Sequence, residues 1–374
     1  MRGNYPKLLF LFVLMTLSGC DRNPSDHQQT LLVFGTLLDI KAYTDNTTAF
    51  DSAVRNLDLT FQEMHREWHA WKGEGELVRL NRAIADGRPL EVSPGLAGLL
   101  RQAKLYADKS DQLFNPAIGQ LIGLWGFHSD EPPGGPPPDP AMIRSLLEDA
   151  PSMGDMHFDG DQISSVNSAV SIDLGAFAKG HALNLAIDQL KRFGIDHAIV
   201  NAGGDLCASG QHGDRPWKIG IRHPLGEGVI ASVDVSDGEC VLTSGNYERY
   251  REYQGIRYAH ILDPRSGYPV EHVASATVIS QEGGLADAAA TALSVAGPKQ
   301  WQKIAVQLGV SEVMLVDENG AVYLTPKMQS RIKFQQKIDK VVVSSQLKAQ
   351  NQAHSKLVRS DISPQPGPRL KSRC

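Results

Sequence analysis

The sequence predicts an α+β fold with a mixed or antiparallel β-sheet core and flanking helices. Two observations carry that expectation. Apolar residues recur at helical spacing in separate stretches, among them 48–67, 93–106, 183–190 and 285–296. Between 197 and 280, short apolar runs alternate with turn-forming residues, which is the pattern of successive strands. At 374 residues the chain can hold one large domain or two modest ones, with ample core.

The elements follow in order. Met1, Arg2 and Lys7 give a positive start, and the apolar run 8–17 is too short to span a membrane. It ends in Leu17-Ser18-Gly19-Cys20, which resembles a bacterial lipobox, so 1–20 is expected to be a lipoprotein signal peptide with Cys20 lipidated. An ordinary signal peptide with an accidental cysteine is the plainer alternative. Asp21 after the cysteine resembles a retention signal, which places the anchored chain on the inner membrane facing the periplasm. Residues 21–29 read as a polar tether, and 30–43 as a strand interrupted at Gly35 by a bulge or a close ligand approach.

A helix over 48–67 leads through Trp71 to a short helix, and Ser93-Pro94 starts the next one. Residues 130–140 are a Pro/Gly loop, and 156–172 a hairpin pair whose last part, 169–172, is a short strand. Strands follow at 197–200, 217–222, 229–235 and 240–243. Two more fall within 247–263, turning at Gln254-Gly255, and another at 274–280. Helices 285–296 and 299–308 precede a hairpin around Asn319-Gly320. The domain is expected to end near 326.

From Lys327 onward there are 11 Lys/Arg against 2 Asp/Glu, so the segment carries +9 and the rest of the chain −14, for the total of −5. The 327–374 tail is expected to be basic and disordered. An acidic body argues against nucleic acid as partner. Cys207 and Cys240 stand in strand-like contexts and read as buried free thiols, although an oxidising compartment permits a bridge. No Cys/His cluster has zinc spacing.

The stretch from Ser171 to Gly180 runs from an apolar segment into a helix through Gly175 and Lys179. Free N–H groups and the helix dipole favour an anion at such a start; Lys179 adds a mobile charge, and Asp173 can anchor a hydroxyl or ring N–H. An ordinary turn with a solvated lysine accounts for the same residues. Asp287 and Thr291, at i and i+4, share a helix face. Magnesium takes hard oxygen ligands, so these two and a backbone carbonyl such as that of Ala176 could hold it. A first-turn charge and a threonine bonded to its own helix is the plainer alternative. His260 is either a core histidine alternating with Tyr258 and Leu262 or a base near a phosphate. Trp71 and Phe114 are core aromatics or stack on a planar ring.

Taken together, 173–180, 201–205, 243–247, 260–269 and 286–293 occur in the order and spacing of the ApbE family of FAD:protein FMN transferases, which the chain resembles over 30–326. Phe34-Gly35-Thr36 and the segment from Asn115-Pro116 to Trp125-Gly126-Phe127 resemble further family motifs. The resemblance implies Mg²⁺-dependent cleavage of FAD and transfer of FMN, through its phosphate, to a threonine or serine of an acceptor flavoprotein, with release of AMP. It implies Mg²⁺ on Ala176 (by carbonyl), Asp287 and Thr291. It places FAD along Phe34, Trp71, Leu113, Phe114, Asn115, Asp173, Lys179 and Leu262, with His260 near the reacting phosphate and His260 or Asp287 as base. Phe34 stands where methionine is frequent, and Trp71 where tyrosine is frequent. An FAD pyrophosphatase and a non-catalytic flavin-binding lipoprotein are the alternatives.

Overall fold

The computed structural model describes residues 23–345 except 130 and 132. The leader with Cys20 and Asp21, and the tail beyond 345 with Cys374, lie outside the described residues.

Strands β1 (Ser25–Val33) and β2 (Thr36–Thr44) pair antiparallel, with Val33 opposite Thr36. Between them Phe34 and Gly35 have φ of 55° and 70°, the paired positive φ of a two-residue hairpin. The chain therefore reverses at Gly35, and the expectation of one interrupted strand is corrected. The strand also begins inside the expected tether, at Ser25. Exposed Asp26, Gln28 and Thr30 alternate there with half-buried His27, Gln29 and Leu31, so a polar segment serves as an edge strand.

Helix α1 (Thr47–Trp68) is capped by Asn46, whose side chain accepts from the Ala49 amide, and it buries Phe50, Val54, Leu57 and Phe61. Next come α2 (Glu76–Ala85), β3 (Leu90–Glu91) and α3 (Pro94–Lys109), the last capped by Ser93 with proline in its first turn. Helices α4 (Gly119–Leu124) and α5 (Pro140–Glu148) flank the Pro/Gly loop, and β4 (Met156–Asp159) pairs with β5 (Gln162–Ser165). The strand expected at 169–172 is reduced to one bridge, Ser171 to Ile118. The Asn81 side chain takes both backbone groups of Ile172, at 2.7 and 2.9 Å, and leaves no ladder to extend.

Helix α6 (Ala178–Arg192) leads into β6 (Ala198–Ala202), β7 (Asp205–Ser209), β8 (Trp217–Arg222), β9 (Val229–Val235) and β10 (Cys240–Gly245). The hairpin β11 (Tyr250–Tyr253) and β12 (Ile256–Ala259) precedes β13 (Val273–Ser280). Helix α7 (Gly283–Leu308) breaks at Gly297, φ 64°, before Pro298, as the two predicted helices require. Then come β14 (Glu312–Asp317), β15 (Val322–Leu324), α8 (Pro326–Arg331), β16 (Lys333–Phe334) and β17 (Val341–Val343).

The main sheet has nine strands in the order β1-β2-β6-β7-β10-β13-β14-β15-β17, antiparallel except for β15 with β17. The α+β expectation holds. Side chains alternate between its two faces. Cys207, Leu242 and Val278 face the layer of α1, α6 and α7, whereas Leu206, Val241 and Ile279 face a small sheet of β16-β9-β8. Both faces of the central strands are thus covered. Cys207 and Cys240 stand opposite each other in β7 and β10 and form a disulfide, so the free-thiol reading is corrected. Direct cross-strand register brings the two side chains to the same face, which the separate strand contexts do not reveal.

The domain does not stop at 326. Met328 and Ile332 enter the second core, β17 extends the main sheet, and Arg331 binds Glu239 at 2.7 Å, together with Glu312 and the Asp234 carbonyl. Charge is what makes this segment look like tail, yet its cation closes on two carboxylates.

The tightest packing in the helical layer is where α6 crosses α7. A Cβ on Gly180 would strike the Gly283 carbonyl and lie 2.9 Å from the Asp287 Cβ. One on Gly283 would meet Asn184 Oδ1 at 2.8 Å, and one on Gly284 the Phe177 ring at 2.7 Å. Asn184 fastens the crossing, accepting from the Gly283 amide and donating to the Gln281 carbonyl at 3.1 Å.

Gly180→Ala is expected to cost about 2 kcal/mol or more, since backbone must move. Gly98→Ala in α3, where nothing lies within 4 Å, should stabilise by about 0.5–1 kcal/mol. Denaturant melts of the two variants check both signs. Arg331→Ala should cost about 1–3 kcal/mol at neutral pH by stranding two carboxylates. Burial pushes the Glu239 carboxyl up, but Arg331 outweighs it and holds the group below its ordinary value. That contribution is present above about pH 4.5 and lost as pH falls through the depressed value, so the Tm gap between wild type and variant should narrow in acid.

Candidate active site

The crossing of α6 and α7 sets up the chemistry. The Gly180 amide, in the first turn of α6, donates to Asp287 Oδ2 at 2.9 Å. The anion that the helix start favours is therefore a side chain of this protein. Asp287 is 5% exposed and ringed by alanines of α7. Thr291, one turn on, has its hydroxyl 3.1 Å from that of Ser244 at the end of β10.

Lys179 is not a mobile charge. Its ammonium is paired with Asp205, whose other oxygen accepts from the Thr243 amide at 2.8 Å. Asp205 is the first residue of β7 after the Gly203-Gly204 turn, so the loop positions a counter-ion. Burial alone would lower the lysine, but Asp205, Asp287 and Glu248 hold it well above its ordinary value. Burial raises the Asp287 carboxyl, Asp205 adds to the rise, and Lys179 and the Gly180 amide oppose it. Glu248, at the solvent-exposed rim, is pushed up to about 7, chiefly by desolvation of its carboxyl and then by Asp205 and Asp287.

His260 lies just beyond β12 and is half-buried. Its Nδ1 is 3.0 Å from the Arg249 carbonyl, which can only accept. In the neutral ring Nδ1 therefore carries the proton, and Nε2 holds the lone pair. Burial, with Lys179 and Arg249 adding, pushes its pKa down to about 4 against the opposing carbonyl bond. The ring is a neutral base across the physiological range.

A second group lies along the 113–128 and 171–175 segments. Asp173 is buried; its Oδ1 accepts from the Gly175 amide at 2.7 Å and its Oδ2 meets His128 Nε2 at 2.9 Å. Trp71 stacks on His128 with ring centroids 4.4 Å apart and planes 10° apart. Phe34 sits at the hairpin tip against Phe61 and His65 of α1.

Of the remaining predicted residues, Leu113, Phe114 and Leu262 are buried, whereas Asn115 is half-buried and lines a cavity with Gln112, Ile118 and Pro151. Leu113 and Phe114 are core residues, and the Phe114 ring rests on Phe177, so it is not free to stack on a ligand ring. The Asn115 side chain is committed to the Pro151 carbonyl and the Ala117 amide. Leu262 belongs to a cluster with Ile118, Leu121, Trp125 and Phe127. Ala176 lies just ahead of α6, the helix whose third residue binds Asp287.

Among the described residues no group of three or more His, Cys, Asp or Glu side chains is arranged to hold a metal. What exists is the buried Asp287 carboxylate, a second buried carboxylate, Asp205, already paired with Lys179, and the Thr291 and Ser244 hydroxyls. That hard-oxygen set suits magnesium, which keeps waters and phosphate oxygens in its shell. A carboxyl driven up by burial is also the group a cation would most readily return to its ionised form.

His128, Glu248, Ser244 and the Gly180–Gly283 contact escape residue-level prediction. Ser244 falls in the 243–247 stretch, which the family resemblance covers without singling out its hydroxyl. His128 directly follows Trp125-Gly126-Phe127, and no periodicity marks it.

The ApbE family model matches residues 34–315. The chain is 46% identical over 307 residues to the FAD:protein FMN transferase of Rhodobacter capsulatus, covering 82% of this chain and 58% of that protein. It is 32% identical over 294 residues to the FAD:protein FMN transferase of Treponema pallidum, covering 73% and 79%. The chain thus spans little more than half the length of the Rhodobacter relative. Among solved structures, the ApbE protein of Thermotoga maritima superposes with TM-score 0.75 at 28% identity, over 84% of this chain and 100% of that one. The apo flavinyl transferase ApbE of Pseudomonas stutzeri gives 0.72 at 26% identity, over 84% and 98%. Fold, motif order and these matches agree, and the chain belongs to the ApbE family.

Proposed function

We propose that the protein is an FAD:protein FMN transferase that uses Mg²⁺. The observation that carries this reading is the convergence of Lys179, Asp287, Thr291 and His260 from distant segments, with the Trp71–His128–Asp173 group joined to them through Phe127 and Arg249. The oxygens of Asp287, Thr291 and the Ala176 carbonyl would hold the magnesium. When bound, it supplies charge neutralisation at the pyrophosphate.

The hydroxyl of a threonine or serine in the acceptor protein attacks the phosphorus on the FMN side. Its bond to the bridging oxygen breaks, and AMP leaves with that oxygen. His260 Nε2 takes the hydroxyl proton. Asp287, already bonded to Gly180, serves as ligand and not as base. Lys179 binds phosphate oxygen, and its carboxylate neighbours keep it charged. Little covalent help is needed, since positioning and field dominate phosphoryl transfer.

Lipidation at Cys20 would fix the enzyme to the periplasmic face of the inner membrane; no helix among the described residues is long and apolar enough to cross it. Mass spectrometry of the mature N-terminal peptide tests this, and an unmodified Cys20 removes the anchor.

The enzyme, FAD and Mg²⁺ incubated with and without a candidate acceptor test the reaction. Mass corresponding to FMN on an acceptor hydroxyl is expected; free FMN formed regardless of acceptor indicates a pyrophosphatase instead. Asp287→Ala should abolish turnover with the far-UV CD spectrum unchanged, and retained Mg²⁺-dependent turnover would remove Asp287 from the site. His260→Ala should lower transfer about 10²–10⁴-fold and keep FAD binding. Protonation of His260 is the inactivating event, and its pKa is about 4. The kcat/KM profile should therefore show no loss near pH 6.5 from this group and fall only in stronger acid.

A further inference from the structure

Trp71, in the loop after α1, and His128, in the loop after α4, stack nearly parallel, 10° apart at 4.4 Å. The same imidazole directs Nε2 at Asp173 Oδ2, 2.9 Å away. The edge of His69 closes on Trp71 from another direction, with centroids 4.3 Å apart and planes at 65°. Asp173 is 9% exposed and Trp71 38%, with the imidazole between them. Gly123 gives the ring its room, since a Cβ there would lie 3.0 Å from His128 Nδ1.

The slot between Trp71 and Asp173 is thus filled by a planar heteroaromatic whose face lies on an indole and whose N–H edge meets a carboxylate. Flavin and adenine both offer that combination: a flat π-face and an N–H on one edge. We propose that His128 is a resident plug of the ring subsite, and that an aromatic ring of FAD enters between Trp71 and Asp173 only by displacing it. The proposal rests on the reading that FAD lies along these two residues. It adds an affinity-setting residue that makes no productive contact with the ligand. A side chain occupying the subsite reduces apparent affinity by the fraction of molecules in which the subsite is open.

Equilibrium binding of FAD, FMN and AMP to the full chain, without acceptor, tests this in wild type, His128→Ala and His128→Asn. His128→Ala should bind FAD about 10-fold more tightly, the factor by which a plugged state lowers apparent affinity at roughly 10% open. His128→Asn, which retains an N–H for Asp173 but cannot stack, should fall between the two. Whichever of FMN or AMP gains affinity alongside FAD identifies the ring that uses the slot. In stopped-flow, the wild-type association rate should level off at high FAD, as opening becomes limiting, and the alanine variant should stay linear. Equal or weaker FAD binding by a folded His128→Ala overturns the plug and makes His128 a wall of the site. Failure of wild type and variant alike to bind FAD overturns the functional reading beneath it.

Discussion

The contact on which the rest of the molecule depends is backbone on backbone, Gly180 against Gly283. No side chain fits there, and two helix starts are thereby brought into touching distance. One consequence is a hydrogen bond from the Gly180 amide to Asp287. Another is that the dipoles of both helices bear on the same small volume. The flanking arrangement follows from it. Asn184 ties α6 to the chain entering α7, and its amide also lies 3.5 Å from the Cys240 sulfur of the disulfide between β7 and β10. Those two strands carry Asp205 and Ser244, so the same crossing that places Asp287 also indexes the lysine's counter-ion and the hydroxyl pair.

The charge balance in that volume is what the proposed polyphosphate and cation would meet. One ammonium, Lys179, faces Asp205, Asp287 and Glu248. With all groups ionised the cluster carries excess negative charge in a desolvated setting, and the carboxyls of Asp287 and Glu248 respond by holding protons more tightly. A divalent cation relieves the excess without rearranging the chain. A phosphate arriving with that cation keeps the total nearly level. Cation and phosphate are therefore expected to bind more favourably together than singly, because phosphate alone adds to the negative excess that the cation removes.

Legibility from sequence divides along physical lines. The shared face of Asp287 and Thr291 could be read because helical period puts i and i+4 together; the placement of Lys179 at a helix start was legible too, but not its pairing with Asp205, which comes from a distant strand. The nine-stranded sheet was foreshadowed by its short strands. What escaped depends on long-range geometry. The Phe34-Gly35 turn looks like an interruption until cross-strand pairing shows Val33 opposite Thr36. Cys207 and Cys240 are unremarkable until register sets them opposite. The segment 326–343 looks like a charged tail because its packing partners, Glu239 and Glu312, lie far upstream. Phe114, singled out as a possible stacking ring, turns inward because Phe177 offers it a core.

The two halves of the site are joined by one residue that serves both. The Arg249 guanidinium binds the Ser129 carbonyl, next to His128. The Arg249 carbonyl accepts from the His260 backbone amide and from His260 Nδ1. The tautomer of the proposed base is thus set by the residue that tethers the proposed plug. A ring that displaces His128 together with its backbone shifts the carbonyl held by Arg249, and a shift of Arg249 bears on the orientation of His260. Ring occupancy and base orientation are coupled to the extent that the Ser129 carbonyl moves with His128. A nucleotide lacking the ring that fills the slot leaves His128 in place, and with it the ligand-free setting of Arg249. Discrimination of this kind acts on proton transfer as well as on binding, the form in which remote binding contacts raise turnover instead of merely lowering KM.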